Sequence, residues 1–345
     1  MLYAGFGYDP FYFHMFSLLL HIGCVCLVWK LISSLLRVHG GVSEKQILYV
    51  NFITTLLFAV HPINVEVVAW ISALKVLLYA FFYLLGLLCY LRYIRTSKIF
   101  YYVLTIGCFL CSFWGKEQAV TFPLALLIVD WFTNRNMKNL EVWSEKMSFL
   151  IMAFFFGIIT VLSQGKGPYE MIFPLYQRLL FGCFALVEYI TKSLLPVNLN
   201  FFYPFPIVLG EEPPLHYYLY PVVLLFLMGW IIAYRNNRYL VFGVLLFLVN
   251  LLFSIHLFNM SRHAIVADRY MYLSYVGIVF LIANGIWWLR KRLSYFKAAL
   301  VFLFFYCFFL SVYTFHYTKK WENTTMVKKY TKEVLEKRLN GSNHL

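Results

Sequence analysis

The sequence predicts an all-α integral membrane protein with about ten or eleven transmembrane helices. Of its 345 residues, 62% are hydrophobic and 13% are charged, and the mean hydropathy is +0.73. An ordinary soluble domain carries about 25% charged residues and about 45–50% apolar ones. Apolar runs recur along the whole chain, so the hydrophobicity is not confined to a single anchor. These observations exclude a large water-soluble domain.

The apolar runs indicate a series of membrane segments separated by short polar gaps. A helix of about 20 apolar residues spans a bilayer, and most of the runs approach that length. The predicted segments are 11–36, 47–61, 73–91, 99–114, 118–132, 148–164, 179–195, 217–233, 240–257, 270–288 and 298–317. They form one multipass domain, residues 1–317, which a short basic tail follows, residues 318–345.

The net charge of +14 comes from basic residues in the gaps between apolar runs. That placement is typical of cytoplasmic loops and of contact with anionic headgroups, and it argues against a nucleic-acid partner. The tail from Lys319 to Arg338 carries seven more basic residues, which argues for a cytoplasmic end. The side of the membrane on which Arg235 and Arg238 lie stays open, because it depends on whether 179–195 crosses the membrane. The basic gaps are Arg37/Lys45, Arg92/Arg95/Lys98, Arg135/Lys138/Lys146 and Arg290/Lys291/Arg292.

Several residues in the apolar runs have structural interpretations. The seven cysteines are expected to be small buried hydrophobes, with neither a disulfide framework nor a zinc spacing. His14 and His21 lie two helical turns apart and are expected to form interhelix hydrogen bonds. No third ligand accompanies them, so we expect no metal site and no cofactor. Asp130 and Glu188, near the ends of apolar runs, are each candidates to pair with a lysine.

The most informative stretch is 57–93, where His61, Glu66 and Lys75 stand between two apolar runs. Polar groups in such a position are costly in a membrane and usually line a site. Pro62 pushes the residue before it out of the α region, so a membrane helix is expected to end at His61. The spacing leaves two interpretations: these residues line a site, or Pro62 ends a helix while the charged side chains reach water.

Two further gaps carry charged residues. Lys116 and Glu117 lie at the tip of a predicted helical hairpin, where they are either a solvated tip or a phosphate-binding pair. Asp268 opens a later span, and a carboxylate at a helix N-terminus is favoured by the helix dipole. Arg262 and His263 nearby raise the positive charge, which would suit an anionic phosphate ligand.

Five pieces of the chain carry a resemblance to a known family. In order along the chain they resemble the transmembrane part of the TMTC-type protein O-mannosyltransferases and their bacterial relatives, multipass glycosyltransferases of the GT-C class. The pieces are FYFHMFSLLLH (11–21), LLFAVHPINVEVVAWISALKVLL (56–78), WGKEQAVTFPLALLIVDW (114–131), LLPVNLNFFYPFP (194–206) and ADRYMYLSYVGI (267–278).

The resemblance implies a GT-C fold with its active site on the outer face, in a bacterial inner membrane or an endoplasmic reticulum. It also implies transfer of mannose from a polyprenyl-phosphate-linked sugar to a hydroxyl of a protein acceptor. Cations would stabilise the charge that develops on the lipid phosphate. The donor-binding candidates are His61, Glu66, Lys75, Lys116, Glu117, Arg262, Asp268 and Arg269.

The chain departs from the family pattern in three places. The family has a further N-terminal span and an acidic loop, where the catalytic Asp is expected; the chain starts after that loop, and Asp9 does not occupy the position. A Gly-Arg-Lys-Asp cluster follows WIS in the family, whereas this chain has Ala73-Leu74-Lys75-Val76. In the family, tetratricopeptide repeats usually follow the membrane part, whereas in this sequence the short tail 318–345 follows it. Two alternatives therefore stay open: a non-catalytic member that acts as a binding or scaffold protein, and a transporter of lipid-linked saccharides.

Overall fold

The computed structural model describes residues 2–7, 9–163, 173–256 and 264–342, and this part of the chain is mostly helical. One isolated antiparallel bridge, between Tyr203 and Val266, joins extended segments within it. The helices are α1 (Leu2–Phe6), α2 (Pro10–His39), α3 (Glu44–Val60), α4 (Val65–Ala69), α5 (Leu74–Thr96), α6 (Ile99–Gly115), α7 (Phe122–Phe132), α8 (Leu140–Ser163), α9 (Leu175–Leu194), α10 (Leu219–Ala233), α11 (Arg238–Leu251), α12 (Met271–Trp288), α13 (Leu293–Thr318) and α14 (Thr324–Ser342).

Six helical stretches in the described residues are long and apolar enough to cross a membrane. A seventh crossing results if α3 and the stretch Pro62–Ala69, which meet at a bend of 51°, form one broken span. The shorter apolar helices α6 and α11 pack against α5 and α12. The predicted class, an all-α multipass membrane protein, is confirmed, whereas the number of ten or eleven crossings stays a prediction. The six stretches are Pro10–His39, Ile71–Thr96, Leu140–Thr160, Leu215–Ala233, Asp268–Lys291 and Leu293–Trp321.

One end of the helix bundle gathers the gaps that the sequence marks as candidate sites. The Thr314 hydroxyl near the end of α13 donates to the carbonyl of Val60, the last residue of α3, at 2.8 Å. The Gln118 amide, before α7, donates to the Ser254 hydroxyl, after α11, at 2.6 Å. These contacts bring the ends of α3, α11 and α13 together with the start of α7. We call this end the site end.

The opposite end gathers basic loops, and we call it the basic end. The His39 ring at the end of α2 lies 2.7 Å from the Phe132 carbonyl at the end of α7. Arg238, which begins α11, donates to the Trp131 carbonyl at 3.0 Å. Tyr49 of α3 contacts Trp287 near the end of α12, with ring centroids 5.6 Å apart. The loops that follow α2, α5, α7, α10 and α12 therefore share this end.

Helix α9 overturns the predicted crossing at 179–195. It does not qualify as an apolar span, and both of its ends bind the loop that follows it. The Gln177 amide donates to the Glu211 carbonyl at 2.9 Å, and the Lys192 ammonium donates to the Tyr203 hydroxyl at 3.0 Å. Helix α9 thus lies along the site end, and Arg238 returns to the basic end. The physical reason is the charge that the helix carries, from Arg178, Glu188 and Lys192.

The C-terminal helix α14 lies at the site end. The Tyr330 hydroxyl donates to the Leu199 carbonyl at 3.1 Å, and the Thr331 hydroxyl donates to the Asn200 side chain at 3.2 Å. The sequence leaves the side of the tail open, with its charge favouring the side of the basic loops, whereas these contacts join α14 to the site end. A basic helix that lies on a membrane surface interacts with headgroups of either leaflet, so its charge does not fix its side.

Several smaller expectations are met. Asp130 binds Lys146 at 2.5 Å, and Glu188 lies 3.5 Å from Lys192, so both carboxylates pair with lysines. The His21 ring lies 2.7 Å from the Tyr272 hydroxyl of α12, as expected of an interhelix hydrogen bond. The cysteines are free thiols, but only Cys24 and Cys108 are buried; Cys26 is exposed, and the other four are partly exposed.

Candidate functional site

A break in the helix at His61 places Glu66 inside the protein. Pro62 ends α3, and the chain continues as a 3-10 turn, Pro62–Asn64, before α4. The His61 side chain accepts the N–H of Ile63 at 3.2 Å and thereby caps this turn. His61 is buried and its ring packs against Tyr275, with centroids 4.5 Å apart. The geometry gives His61 a structural role at the break.

Glu66 and Arg269 form a buried ion pair between α4 and the start of α12. One Glu66 oxygen accepts from the Arg269 guanidinium at 2.7 Å, and the other accepts from the Arg269 backbone N–H at 2.7 Å. The Glu66 side chain is fully buried, and that of Arg269 is 23% exposed. A carboxylate on the first N–H groups of a helix also interacts favourably with the helix dipole. Glu66 thus fixes the position of Arg269.

Lys116 reaches the same place from the end of α6. Its ammonium lies 4.4 Å from the centroid of the Tyr270 ring, and the Arg269 guanidinium lies 5.2 Å from that same centroid. Lys116 is only 6% exposed. Gly115 makes this approach possible, because a Cβ there would lie 2.6 Å from the backbone nitrogen of Tyr79. Two cations from different helices therefore meet at one aromatic ring.

Asp268 is held by a tyrosine and lies beside a lysine. The Tyr203 hydroxyl lies 3.0 Å from each Asp268 oxygen and donates to this carboxylate, while it accepts from the Lys192 ammonium at 3.0 Å. It also accepts the N–H of Asn200 at 2.6 Å. Asp268, Lys192 and Tyr203 are each 1% exposed. All the hydrogen-bonding capacity of the Tyr203 hydroxyl is used, as burial requires.

We call Glu66, Lys116, Lys192, Tyr203, Asp268 and Arg269 the charged cluster. It contains three cations and two carboxylates, and the partly exposed Glu188 pairs with Lys192 at its edge. Among the described residues, no three His, Cys, Asp or Glu side chains come close enough to hold a metal ion. Cations beside an aromatic face at the end of a membrane bundle are suited to an anionic headgroup or phosphate.

The sequence-derived candidates divide into three groups. Glu66, Lys116, Asp268 and Arg269 come together in the charged cluster, and His61 supports the backbone next to it. Lys75 is exposed at the start of α5, and Glu117 is half-buried at the start of the turn before α7; neither has a side-chain hydrogen bond or an ion pair in the described part of the chain. Arg262 lies outside the described residues.

Sequence reasoning did not select Lys192 or Tyr203 as site residues. Sequence patterns could have pointed to both residues, because Lys192 follows Glu188 by one helical turn and Tyr203 belongs to the aromatic piece 194–206. Neither pattern shows that these residues lie at Asp268, since the contact between Tyr203 and Asp268 joins residues 65 positions apart.

A cavity of about 1120 Å³ lies next to the charged cluster, between the bundle and α14. Trp70 forms part of its wall and also packs against Arg269, whose guanidinium lies 5.6 Å from the Trp70 centroid. Aromatic side chains line one side and polar side chains of α14 line the other, a combination typical of ligand pockets. The aromatic wall consists of Trp70, Phe201, Phe202 and Trp321.

No protein-family model matches the sequence, and no solved structure matches this one.

Curated proteins with similar sequences agree in their names. The chain is 32% identical over 143 residues to the protein O-mannosyl-transferase TMTC2 of Mus musculus, which covers 39% of this chain and 16% of that protein. It is 27% identical over 153 residues to the protein O-mannosyl-transferase Tmtc3 of Drosophila melanogaster, a match that covers 39% of this chain and 16% of that protein. It is 32% identical over 130 residues to the human protein O-mannosyl-transferase TMTC4, a match that covers 34% of this chain and 18% of that protein. The match thus spans less than a fifth of each of these relatives. In this shared part, the chain is similar to TMTC-type proteins, which are named protein O-mannosyl-transferases.

Proposed function

We propose that this protein is a membrane glycosyltransferase that moves a sugar, mannose by analogy with its relatives, from a polyprenyl-phosphate donor to a protein hydroxyl. The charged cluster would bind the donor phosphate. The observation that carries this assignment is the meeting of Lys116 and Arg269 at the Tyr270 ring, next to the large cavity. The names of the relatives support the reaction type.

In such a transfer, the bond between the sugar C1 and the phosphate oxygen breaks, and the phosphate keeps the electron pair. The acceptor oxygen bonds to C1 and gives up its proton to a base. Lys116 and Arg269 would stabilise the charge that develops on the leaving phosphate. Glu66 keeps Arg269 oriented through two hydrogen bonds, and Asp268 is held by Tyr203. Because both carboxylates are engaged, we assign neither as the acceptor base.

The proposal also assigns the site to the outer or lumenal face of the membrane. The basic loops lie at the end of the bundle opposite the charged cluster, where His39 and Arg238 contact the end of α7. Loops rich in Lys and Arg favour the cytoplasmic side. The site end then faces away from the cytoplasm, where a lipid-linked donor would meet secreted or membrane-bound acceptors.

The test is the substitution Lys116→Ala in the full-length protein, reconstituted with polyprenyl-phosphate mannose and a protein acceptor. We expect kcat/KM for transfer to fall about 100-fold, the effect of removing one group that stabilises developing charge. Lys98→Ala is the matched control, because Lys98 is an exposed lysine at the opposite end of the same helix. Transfer should be unchanged in that variant.

The outcomes separate the alternatives. Equal transfer by Lys116→Ala and the unaltered protein would overturn the role of this lysine. Donor binding without any transfer in the unaltered protein would favour a binding or scaffold protein. Movement of labelled donor between leaflets without transfer would favour a transporter of lipid-linked saccharides.

A further inference from the structure

A second cavity opens at the basic end, on the side of the membrane opposite the charged cluster. Its volume is about 450 Å³, and it lies between α2, α5 and the start of α6. Lys30 and Arg37 of α2 and Arg92 and Arg95 of α5 line it, and no carboxylate does so within the described residues. Four cations therefore surround a space that is large enough for a phosphate and its ester groups.

The positive charge of this cavity is only partly neutralised. Arg37 pairs with Glu44 at 3.1 Å, in a contact whose two side chains are largely exposed. The Arg92 Nε donates to the Tyr101 hydroxyl at 3.1 Å, which orients the guanidinium without removing its charge. Neither Lys30 nor Arg95 forms an ion pair in the part of the chain that the structure describes. A net positive charge thus remains after Glu44 is counted.

The cavity lies at the depth of the lipid headgroups. Helix α2 has 30 residues and is about 45 Å long at 1.5 Å per residue, whereas the hydrocarbon core is about 30 Å thick. Lys30 lies about 14 Å before the end of α2, and Arg92 lies about 6 Å before the end of α5. Both side chains therefore reach the boundary between hydrocarbon and headgroups.

The remaining lining suits the rest of a phospholipid. Trp29 lines the cavity and is 37% exposed, and aromatic side chains of this kind concentrate at the membrane interface. Ser33 and Ser34 offer hydroxyl donors, whereas Leu88 and Cys89 offer an apolar wall along which an acyl chain can lie. The polar and apolar parts thus follow the order of headgroup and tail in a bilayer.

We propose that this cavity is a binding site for the phosphate headgroup of an anionic glycerophospholipid in the leaflet at the basic end. Guanidinium groups bind phosphate oxygens through two parallel hydrogen bonds, and Arg92 and Arg95 approach from one helix while Lys30 approaches from another. Basic pockets between membrane helices are suited to such headgroups. The bound lipid would link α2 to α5, so it would also stabilise the bundle.

The test measures lipid binding by native mass spectrometry of the full chain released from nanodiscs. Discs contain phosphatidylcholine with either phosphatidylglycerol or additional phosphatidylcholine as the minor lipid. We expect the protein to retain phosphatidylglycerol about tenfold more strongly. The double variant Lys30→Gln/Arg95→Gln should lose that preference. A tenfold preference corresponds to about 1.4 kcal/mol, and each cation near the surface contributes about 1 kcal/mol, so the loss of two cations is enough to remove it.

The matched control is Lys291→Gln/Arg292→Gln. It removes two cations from the same end of the bundle, where they lie over Trp288 and Tyr295, outside the cavity. It should keep the preference within about twofold. An equal loss in both double variants would show general surface attraction and overturn the proposal.

Two further arms concern the ligand and folding. Glycerol phosphate, added to discs of pure phosphatidylcholine, should bind weakly; retention as strong as that of phosphatidylglycerol would assign the cavity to free phosphates and overturn the lipid source. The unaltered protein is informative even if the double variant does not fold. Equal retention of the two lipids by that protein would overturn the proposal without any substitution.

Discussion

At the scale of single residues, Tyr203 links the two halves of the charged cluster. Its hydroxyl donates to Asp268 and accepts from Lys192 and the N–H of Asn200. Burial and the adjacent Asp268 carboxylate hold the pKa of Tyr203 well above its usual value. The hydroxyl therefore keeps its proton and stays a donor to Asp268 throughout the ordinary pH range. A buried carboxylate and a buried ammonium both depend on this one oxygen.

We expect Tyr203→Phe to lower the free energy of unfolding by about 1–3 kcal/mol, because it leaves buried polar groups without partners. SDS-induced unfolding in mixed micelles, followed by circular dichroism, measures the change. Tyr176→Phe is the control, since the exposed Tyr176 hydroxyl donates to Glu212 at 2.8 Å. That variant should change stability by less than about 0.5 kcal/mol. Equal effects of the two substitutions would contradict the role given to Tyr203.

At the scale of helices, the contact between α5 and α6 positions Lys116. The Ser112 hydroxyl donates to the Tyr79 carbonyl at 3.0 Å, one turn before the helix ends. At Gly115, an added Cβ would lie 2.9 Å from the Lys75 carbonyl oxygen and even closer to the Tyr79 nitrogen. Both are backbone atoms, so they cannot move aside as a flexible side chain would. The missing side chain at Gly115 is therefore a condition for the place of Lys116.

We expect Gly115→Ala to destabilise the protein by about 1–3 kcal/mol, the typical effect of overpacking. It should also lower transfer activity, because α6 must shift and carry Lys116 with it. Gly107→Ala in the same helix is the control, as its added Cβ would meet nothing within 4 Å. Alanine there should be neutral or stabilise by up to about 1 kcal/mol. Unfolding and activity measured side by side test both effects, and similar behaviour of the two variants would contradict the packing argument.

A second buried ionic network joins three helices at the basic end. Asp130 of α7 binds Lys146 of α8 at 2.5 Å and accepts from the Tyr90 hydroxyl of α5 at 2.8 Å. Arg135 lies 3.1 Å from Asp130 and 2.7 Å from Glu145. Asp130 and Lys146 are fully buried, so removal of one leaves the other without its main partner.

We expect Lys146→Met to destabilise the protein by about 3–5 kcal/mol, the usual effect of breaking a buried pair. The double variant Asp130→Leu/Lys146→Met should recover part of that loss, with a coupling of at least about 1 kcal/mol in a double-mutant cycle. Lys332→Ala serves as the control, since Lys332 lies 3.8 Å from Glu336 in an exposed pair. It should change stability by less than about 0.5 kcal/mol. Additive effects of the two buried substitutions would contradict a direct pairing.

At the scale of the whole molecule, apolar runs predict most helices because a helix that contacts lipid must be apolar over its length. The same rule explains the error at 179–195, since this run contains many apolar residues but the helix that includes most of it, α9, carries Arg178, Glu188 and Lys192, which keep it at the surface. The site shows a similar limit. Glu66, Lys116, Asp268 and Arg269 each stand out as charges beside apolar runs, yet their meeting depends on how α4, α6 and α12 pack. Local patterns do not contain that information.

The tail shows why charge alone does not determine topology. Its seven basic residues favour the side of the basic loops, but Tyr330 and Thr331 bind the loop at Leu199 and Asn200 instead. Direct hydrogen bonds and the contact of Trp321 with Phe201, with ring centroids 5.9 Å apart, outweigh a preference that acts only near the bilayer surface. The structure therefore predicts that the tail lies at the site end, whereas the charge of the tail favours the basic end.

That sidedness is testable with single cysteines, introduced after the seven native ones are replaced by alanine. Lys75→Cys and Lys328→Cys report the site end, whereas Lys98→Cys and Arg292→Cys report the basic end; all four positions are exposed. In sealed vesicles, a membrane-impermeant thiol reagent should label the first pair from one side and the second pair from the other. All four should react after permeabilisation, which is the control for accessibility. If Lys328→Cys reacted together with Lys98→Cys, α14 would lie at the basic end, and the wall that it gives to the large cavity would be lost. Labelling of the first pair from the non-cytoplasmic side would place the charged cluster on the face where the proposed transfer reaction requires it.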